Sequence, residues 1–179
     1  MKACVIFDSR YGNTEKIAKS LATGLEEAGI RATCVGVSSV IVESLSEYDL
    51  ICVGGPTQYR TASKAMQDFL GSLSKVDLSG KRAFAFDTKR DSLLAGSAAK
   101  YIEGALRNRR MRIVSQRQSA MITTPEAGIE RRESESKDEW KERRHGSEKL
   151  LGGEEGRFEQ IGSQVGRALL EAASMSKQS

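Results

Sequence analysis

The run Cys4-Val5-Ile6-Phe7 is apolar at every position, and a polar turn, Asp8-Ser9-Arg10-Tyr11-Gly12-Asn13-Thr14, follows it directly. A strand with no polar face needs cover on both sides, which is the situation of a central strand in a parallel sheet. Helical periodicity begins at the end of the turn. Ile17, Ala18, Leu21, Leu25 and Ala28 recur on one face, while Lys16, Lys19, Glu26 and Glu27 fall off it, and Gly29 is placed as the stop. Strand, turn and helix together form the opening of a βα unit, and the rest of the chain must be compatible with a sheet covered by helices.

The junction carries chemistry as well as topology. The first N–H groups of a helix have no acceptor within it, and the macrodipole places partial positive charge there. Ser9, Thr14 and the Asn13 amide add side-chain donors, so the turn reads as an anion cradle. No Gly-Lys-Ser/Thr closes it, which excludes a Walker loop, and G-x-G-x-x-G is absent, which excludes the dinucleotide fingerprint. Uncharged hydroxyls and backbone donors suit a phosphate monoester held without a metal.

The alternation continues downstream. Strands are predicted over residues 2–8, 31–37, 48–55, 81–86 and 111–123, the last broken near 116–119. Helices are predicted over 14–27, 62–73, 96–108 and 155–173, with a short helical turn at 42–45 and a frayed tail at the end. Between them lie Pro56-Thr57-Gln58-Tyr59-Arg60 and Asp87-Thr88-Lys89-Arg90-Asp91, both read as loops. Strand–helix alternation of this kind predicts an α/β fold, a doubly wound five-stranded parallel sheet, in one domain over residues 1–179.

One segment breaks the rhythm. Residues 126–153 form a charged insertion, and 130–149 contain seven acidic and seven basic residues. Two readings stand: a solvated helix supported by pairs such as Glu133–Lys137 and Glu139–Arg143, or a disordered stretch. Trp140, the chain's one tryptophan, lies in it, as an anchor for a partner, a cover folded back over a ligand, or a plain helix-face contact. His145, the one histidine, receives no role.

The remaining composition narrows the function. No run of eighteen apolar residues allows a membrane span, and the chain enters a strand without a signal-peptide layout, so a cytoplasmic protein is expected. Cys4, Cys34 and Cys52 sit in apolar runs and read as buried reduced thiols. With no C-x-x-C pair and one histidine, no metal site is expected. The net charge is +4 and the pI about 9.0. Basic residues are not interleaved with aromatics, so no nucleic acid is expected as a partner.

The stretch from Val5 to Leu21 resembles the first-loop signature of the flavodoxin family. That signature asks for three apolar or aromatic positions, then spaced Ser/Thr, small residue, Thr, Ala and aliphatic positions. Val5, Ile6, Phe7, Ser9, Gly12, Thr14, Ala18 and Leu21 fill them all. The resemblance implies the strand order 2-1-3-4-5, FMN as cofactor, and Ser9, Arg10, Tyr11, Gly12, Asn13 and Thr14 as its phosphate loop. Gly54-Gly55-Pro56-Thr57-Gln58-Tyr59 resembles the second loop. There Pro56, Thr57, Gln58, Tyr59 and Arg60 would line the ring, with Tyr59 stacking on it and the glycines giving the backbone close approach. Asp87, Thr88 and Lys89 stand where a third loop would meet the ring's polar edge, without the second aromatic many flavodoxins carry. The basic balance departs from acidic flavodoxins. Arg10, Arg60, Lys89 and Arg90 near the sheet's carboxyl end would favour a reduced, anionic flavin.

The function this implies is a small electron-transfer carrier with redox protein partners, an acidic one being suited to the chain's charge, and with no catalytic residue of its own. Two alternatives stand beside it. One is an FMN-dependent oxidoreductase of the quinone reductase or menaquinone-dependent protoporphyrinogen oxidase type. The other is a non-catalytic binding protein that has lost the flavin.

Overall fold

A computed structural model of the protein, describing residues 1–91, 96–125 and 130–175, arranges its strands as the alternation implies. The elements run β1 (Lys2–Phe7), α1 (Asn13–Glu27), β2 (Arg31–Gly36), β3 (Leu50–Gln58), β4 (Thr61–Ala62), α2 (Lys64–Ser72) and β5 (Arg82–Arg90). They continue with α3 (Ala98–Asn108), β6 (Arg112–Ile113), β7 (Gln118–Thr123), α4 (Lys137–Gly146), β8 (Lys149–Leu150) and α5 (Glu154–Met175). A short 3-10 turn covers Val42–Glu47 between β2 and β3.

The main sheet order is β2-β1-β3-β5-β7-β8. Every pair up to β7 is parallel, and β8 adds an antiparallel edge to β7. Counting the principal strands alone, this is the expected 2-1-3-4-5 order. β6 and β7 together fill the fifth position: β6 pairs the start of β5 and β7 its end, and the polar residues between them interrupt the strand.

The unbroken apolarity of β1 now has its cause. Ala3 and Val5 join the core under α1 and α5, with Ile17, Leu21, Phe84, Phe86 and Phe158. Cys4 and Ile6 join the core on the other face under α2 and α3, with Met66, Phe69, Ile102 and Leu106. Successive side chains on a strand point to opposite faces, so both sets must be apolar. A fully buried side chain such as Phe158 contributes about 1.5–3 kcal/mol through its removal from water. On the α1–α5 side the helices cross in backbone contact. A Cβ on Gly24 would lie 1.9 Å from the Glu159 carbonyl oxygen, and one on Gly162 2.2 Å from that of Leu21.

Three expectations are corrected. Pro56, Thr57 and Gln58 are not loop: β3 runs through them and turns back into β4 as a two-residue hairpin. Asp87, Thr88, Lys89 and Arg90 are not loop either, because β5 continues to Arg90 against both β3 and β7. Both strands outlast the hydrophobic layer, and their polar ends are held by ladder hydrogen bonds that need no apolar side chain. In the charged segment a helix forms, but Glu139 does not pair with Arg143. Glu139 closes a capping box with Ser136, and Arg143 pairs with Glu135 at 2.7 Å. The loop after Asp91, the start of the charged segment at 126–129 and the tail after Met175 lie outside the described residues.

Candidate functional site

The turn after β1 is held from both sides. The Asp8 N–H donates to the Gly54 carbonyl at 3.0 Å, and the Asp8 carboxylate accepts from the Ser63 hydroxyl. Gly12 then takes φ +85°, a left-handed conformation open to glycine at little cost, and caps α1. The first helical bond joins the Lys16 N–H to the Gly12 carbonyl at 3.0 Å, leaving the N–H groups ahead of it without a helical acceptor. Thr14 is buried, and its hydroxyl lies 2.8 Å from that of Thr88 on β5. When Thr88 donates, the proton of Thr14 remains free for a ligand at the helix start.

The second wall is the β3–β4 hairpin. Tyr59 and Arg60 occupy its turn with φ +46° and +71°. Two left-handed central residues define the turn type whose twist suits a hairpin, and Asn-Gly is its usual filling. Side-chain-bearing residues there cost roughly 1–2 kcal/mol each. Strain of this kind concentrates at functional sites, and it presents the Tyr59 ring outward, 96% exposed.

Beneath the hairpin, Asp87 is fully buried. Its Oδ2 accepts from the Thr57 hydroxyl at 3.0 Å, the Ser97 hydroxyl at 2.8 Å and the Ala99 N–H at 3.0 Å. The residue ties β5 to the hairpin and to the start of α3. It is a fastening of the site rather than part of its lining. Gly54 is corrected in the same sense: a Cβ there would meet the Phe86 ring at 2.2 Å, so its bareness serves the core.

The third wall comes from the charged segment. Glu142 on α4 accepts two hydrogen bonds from Arg10, each at 3.0 Å. The His145 ring stacks on Tyr11 with centroids 6.4 Å apart. The carbonyl of Glu148 accepts from the Asn13 amide at 2.9 Å, so this expected phosphate donor is already engaged. The Glu148 carboxylate is buried, receives Arg90 through Nε at 2.8 Å, and lies 3.2 Å from His145 Nδ1. Burial, and then its hydrogen bond with Glu142, push the Tyr11 hydroxyl above its ordinary pKa. Trp140 lies under the Arg144 guanidinium, 5.3 Å from ring centroid to carbon.

The three walls enclose a cleft of about 670 Å³, within the range of small-molecule sites. Of the expected site residues, Ser9, Arg10, Tyr11, Asn13, Thr14, Pro56, Thr57, Gln58, Tyr59 and Thr88 line it. Gly12, Arg60, Asp87 and Lys89 do not: Gly12 shapes the turn, Asp87 lies beneath, and Arg60 borders a separate open groove beside α3. Arg90, Trp140, Arg144, His145 and Glu148 also line the cleft; sequence reasoning had placed Arg90 near the ring and weighed Trp140 as a cover, and it gave Arg144, His145 and Glu148 no part in the site. The capping box Ser136-x-x-Glu139 was the available signal, since it starts a helix that puts Trp140 and Arg144 one turn apart on one face. Arg10 and Arg90, two of the cations expected to bear on a reduced ring, are each matched to a carboxylate of the insertion. Among the described residues no helix is long and apolar enough to cross a membrane.

Comparison with known proteins adds four findings. The family model described as Flavodoxin matches residues 5–145. A flavodoxin of Clostridium saccharobutylicum is 32% identical over 98 residues, 54% of this chain and 61% of that one. Protoporphyrinogen IX dehydrogenase [quinone] of Escherichia coli (strain K12) is 33% identical over 70 residues, 39% of each chain. The matched span is thus about six tenths of the first relative's length and four tenths of the second's. Among solved structures, a flavodoxin from the domain Archaea superposes with a TM-score of 0.71 at 20% identity, covering 94% of this chain and 99% of that one. At that identity the likeness speaks for the fold alone.

Proposed function

Since the chain belongs to the flavodoxin family, we propose that it binds one FMN in this cleft and serves as a small electron-transfer carrier, with the charged segment at 126–153 as an insertion in a single domain. The observation that supports this reading is the convergence, on one cleft, of the donor-rich start of α1 with the hairpin that carries Tyr59. The donor set fits a phosphate monoester. The helix-start N–H groups and the hydroxyls of Ser9 and Thr14 are uncharged, point-like donors, and the macrodipole adds to them.

Bound FMN supplies reversible electron transfer, and the protein supplies binding, orientation and charge. In this reading the backbone of Ser9 to Thr14 holds the phosphate, with Thr14 donating once Thr88 donates to it. Tyr59 offers a ring face, and Pro56 and Gln58 bring backbone alongside. Redox proteins are the partners, and the basic balance suits an acidic one. Purified protein tests the reading: a yellow preparation that releases one FMN per chain supports it. A colourless preparation that takes up no FMN overturns it in favour of a fold that has lost the flavin.

One observation favours a second reading. The insertion encloses the cleft and lines it with His145, next to the buried Glu148 carboxylate, and the chain resembles a relative named as a quinone-dependent dehydrogenase. An FMN-dependent oxidoreductase would use such an enclosed site. Turnover of a quinone or of protoporphyrinogen by the FMN-loaded protein selects this reading; its absence leaves the carrier.

A further inference from the structure

We infer that α4 is a cofactor-enclosing element in which Trp140 supplies a ring wall and Arg144 supplies positive charge beside the ligand. The inference rests on the FMN reading and deepens it.

The end of β5 presents Thr88 and Arg90 to the cleft and no aromatic. Trp140 lines that same cleft together with Tyr59, from a different element. Its position is fixed, because α4 and the turn after it are fastened to the β1 turn through Arg10–Glu142, Tyr11–His145 and Asn13–Glu148, and to β5 through Arg90–Glu148. The Arg144 guanidinium against the indole also restricts the plane of the ring. A large, stiff aromatic side chain placed in a cleft is suited to a flat apolar ligand.

Arg144 gives a second, independent pointer. Its Nε is buried and has no hydrogen-bond partner among the described residues. A partly buried charge without an anionic partner is unfavourable, and an anionic ligand in the cleft that Arg144 lines relieves it. The other cleft-lining cations are engaged: Arg10 with Glu142, Arg90 with Glu148, and Lys141 with Asp138 at 3.5 Å. Arg144 forms no such ion pair among the described residues. It is therefore the cation whose charge is least compensated beside the ring. A reduced, anionic flavin gains more from that charge than the neutral oxidised form does. On this account Arg144, and not the Arg10 and Arg90 pair, biases the site toward the reduced cofactor.

The test uses the full chain, stripped of flavin and titrated with FMN and with riboflavin, which has the ring and no phosphate. Loss of an aromatic stack is worth about tenfold in affinity, so Trp140→Ala lowers the affinity for both ligands about tenfold, and Trp140→Phe restores it. Arg144→Gln lowers affinity for the reduced flavin about tenfold more than for the oxidised form, which appears as a lower midpoint potential, and Arg144→Lys recovers part of the shift. The inference is overturned if Trp140→Ala binds riboflavin as wild type does, or if its loss is confined to FMN, which would place the effect at the phosphate. An unchanged potential in Arg144→Gln overturns the role given to Arg144. Wild-type protein that binds neither ligand overturns the FMN reading itself, a different and separately visible result.

Discussion

Thr14 and Thr88 allow the structural and ligand-binding roles of one hydroxyl to be separated. Both residues are buried, and their hydroxyl oxygens lie 2.8 Å apart. Thr14→Val keeps the side-chain shape and removes one partner, leaving the Thr88 hydroxyl buried and unpaired, at a cost of about 1–3 kcal/mol. Thr88→Val does the same in reverse. Replacing both leaves two apolar groups in contact and no orphan, so the double variant returns to within about 1 kcal/mol of wild type. Affinity for FMN behaves otherwise. A hydrogen bond to a charged phosphate is worth about 1.5–3 kcal/mol, so Thr14→Val loses roughly ten- to a hundredfold in affinity. The double variant stays as weak as Thr14→Val, because the donor is gone even though the fold has recovered. Urea unfolding and flavin titration on the four proteins complete the cycle. If the double variant regains affinity along with stability, Thr14 holds the fold and not the phosphate, and the assignment of the cradle fails.

Gly24→Ala forces α1 and α5 apart, because its Cβ would stand 1.9 Å from the Glu159 carbonyl oxygen. The gain of about 1 kcal/mol in helix propensity is outweighed by a packing cost of about 1–3 kcal/mol or more, so Tm falls, and a rise would refute the close crossing. The Arg143 guanidinium holds the Glu135 carboxyl down to about 2, so the stability this pair adds is present above the ordinary carboxylate range and lost as pH falls toward 2. The Tm advantage of wild type over Glu135→Gln is therefore constant above about pH 5 and shrinks to nothing near pH 2; an advantage that grows on acidification contradicts the pairing. Burial pushes Cys4 up to about 12, Cys34 up to about 11 and Cys52 higher still. Cys4 and Cys52 are buried as expected, but Cys34 is only half-buried, so native protein at pH 8 should react slowly with a thiol reagent at Cys34 and expose Cys4 and Cys52 only on unfolding; a fast native reaction of more than one thiol would refute that.

The fold was legible because its strongest signals are local. An apolar run with no alternation states that both faces of β1 are covered, and the residues of α1 name their buried face by spacing alone. The ends of β3 and β5 were illegible for the opposite reason. Pro56, Thr57 and Gln58, and Asp87, Thr88 and Lys89, are residues common in loops, yet here the backbone of the neighbouring strand keeps them extended. Asp87 illustrates the difference: its type suggests a polar surface, and its full burial is tolerated because three donors, one on β3 and two at the start of α3, converge on it only in the folded chain. The phosphate side of the site was read from one continuous stretch. The ring side is assembled from the hairpin, β5 and α4, and no spacing rule connects them.

The insertion shows why charge totals mislead about charge position. Seven acidic and seven basic residues cancel between 130 and 149, and helix spacing offers partners within the segment. Some pairs do form there, as with Glu135 and Arg143, but Glu142 and Glu148 reach out to Arg10 and Arg90. For Glu148 the choice follows from burial, while the Arg10–Glu142 pair is exposed. Glu148 is nearly enclosed between the segment and β5, where an unpaired carboxylate is unfavourable, and Arg90 is the cation within reach. Each such pair removes one positive charge from the cleft and adds one tie between α4 and the sheet. The segment thus exchanges the diffuse cationic field implied by Arg10 and Arg90 for a fixed helix that brings its own cation, Arg144, with a donor still unsatisfied. If that exchange governs the site, Glu148→Gln loosens α4 and weakens flavin binding even though it uncovers the charge of Arg90. A variant that binds flavin more tightly would show that the charge of Arg90, and not the enclosure, dominates.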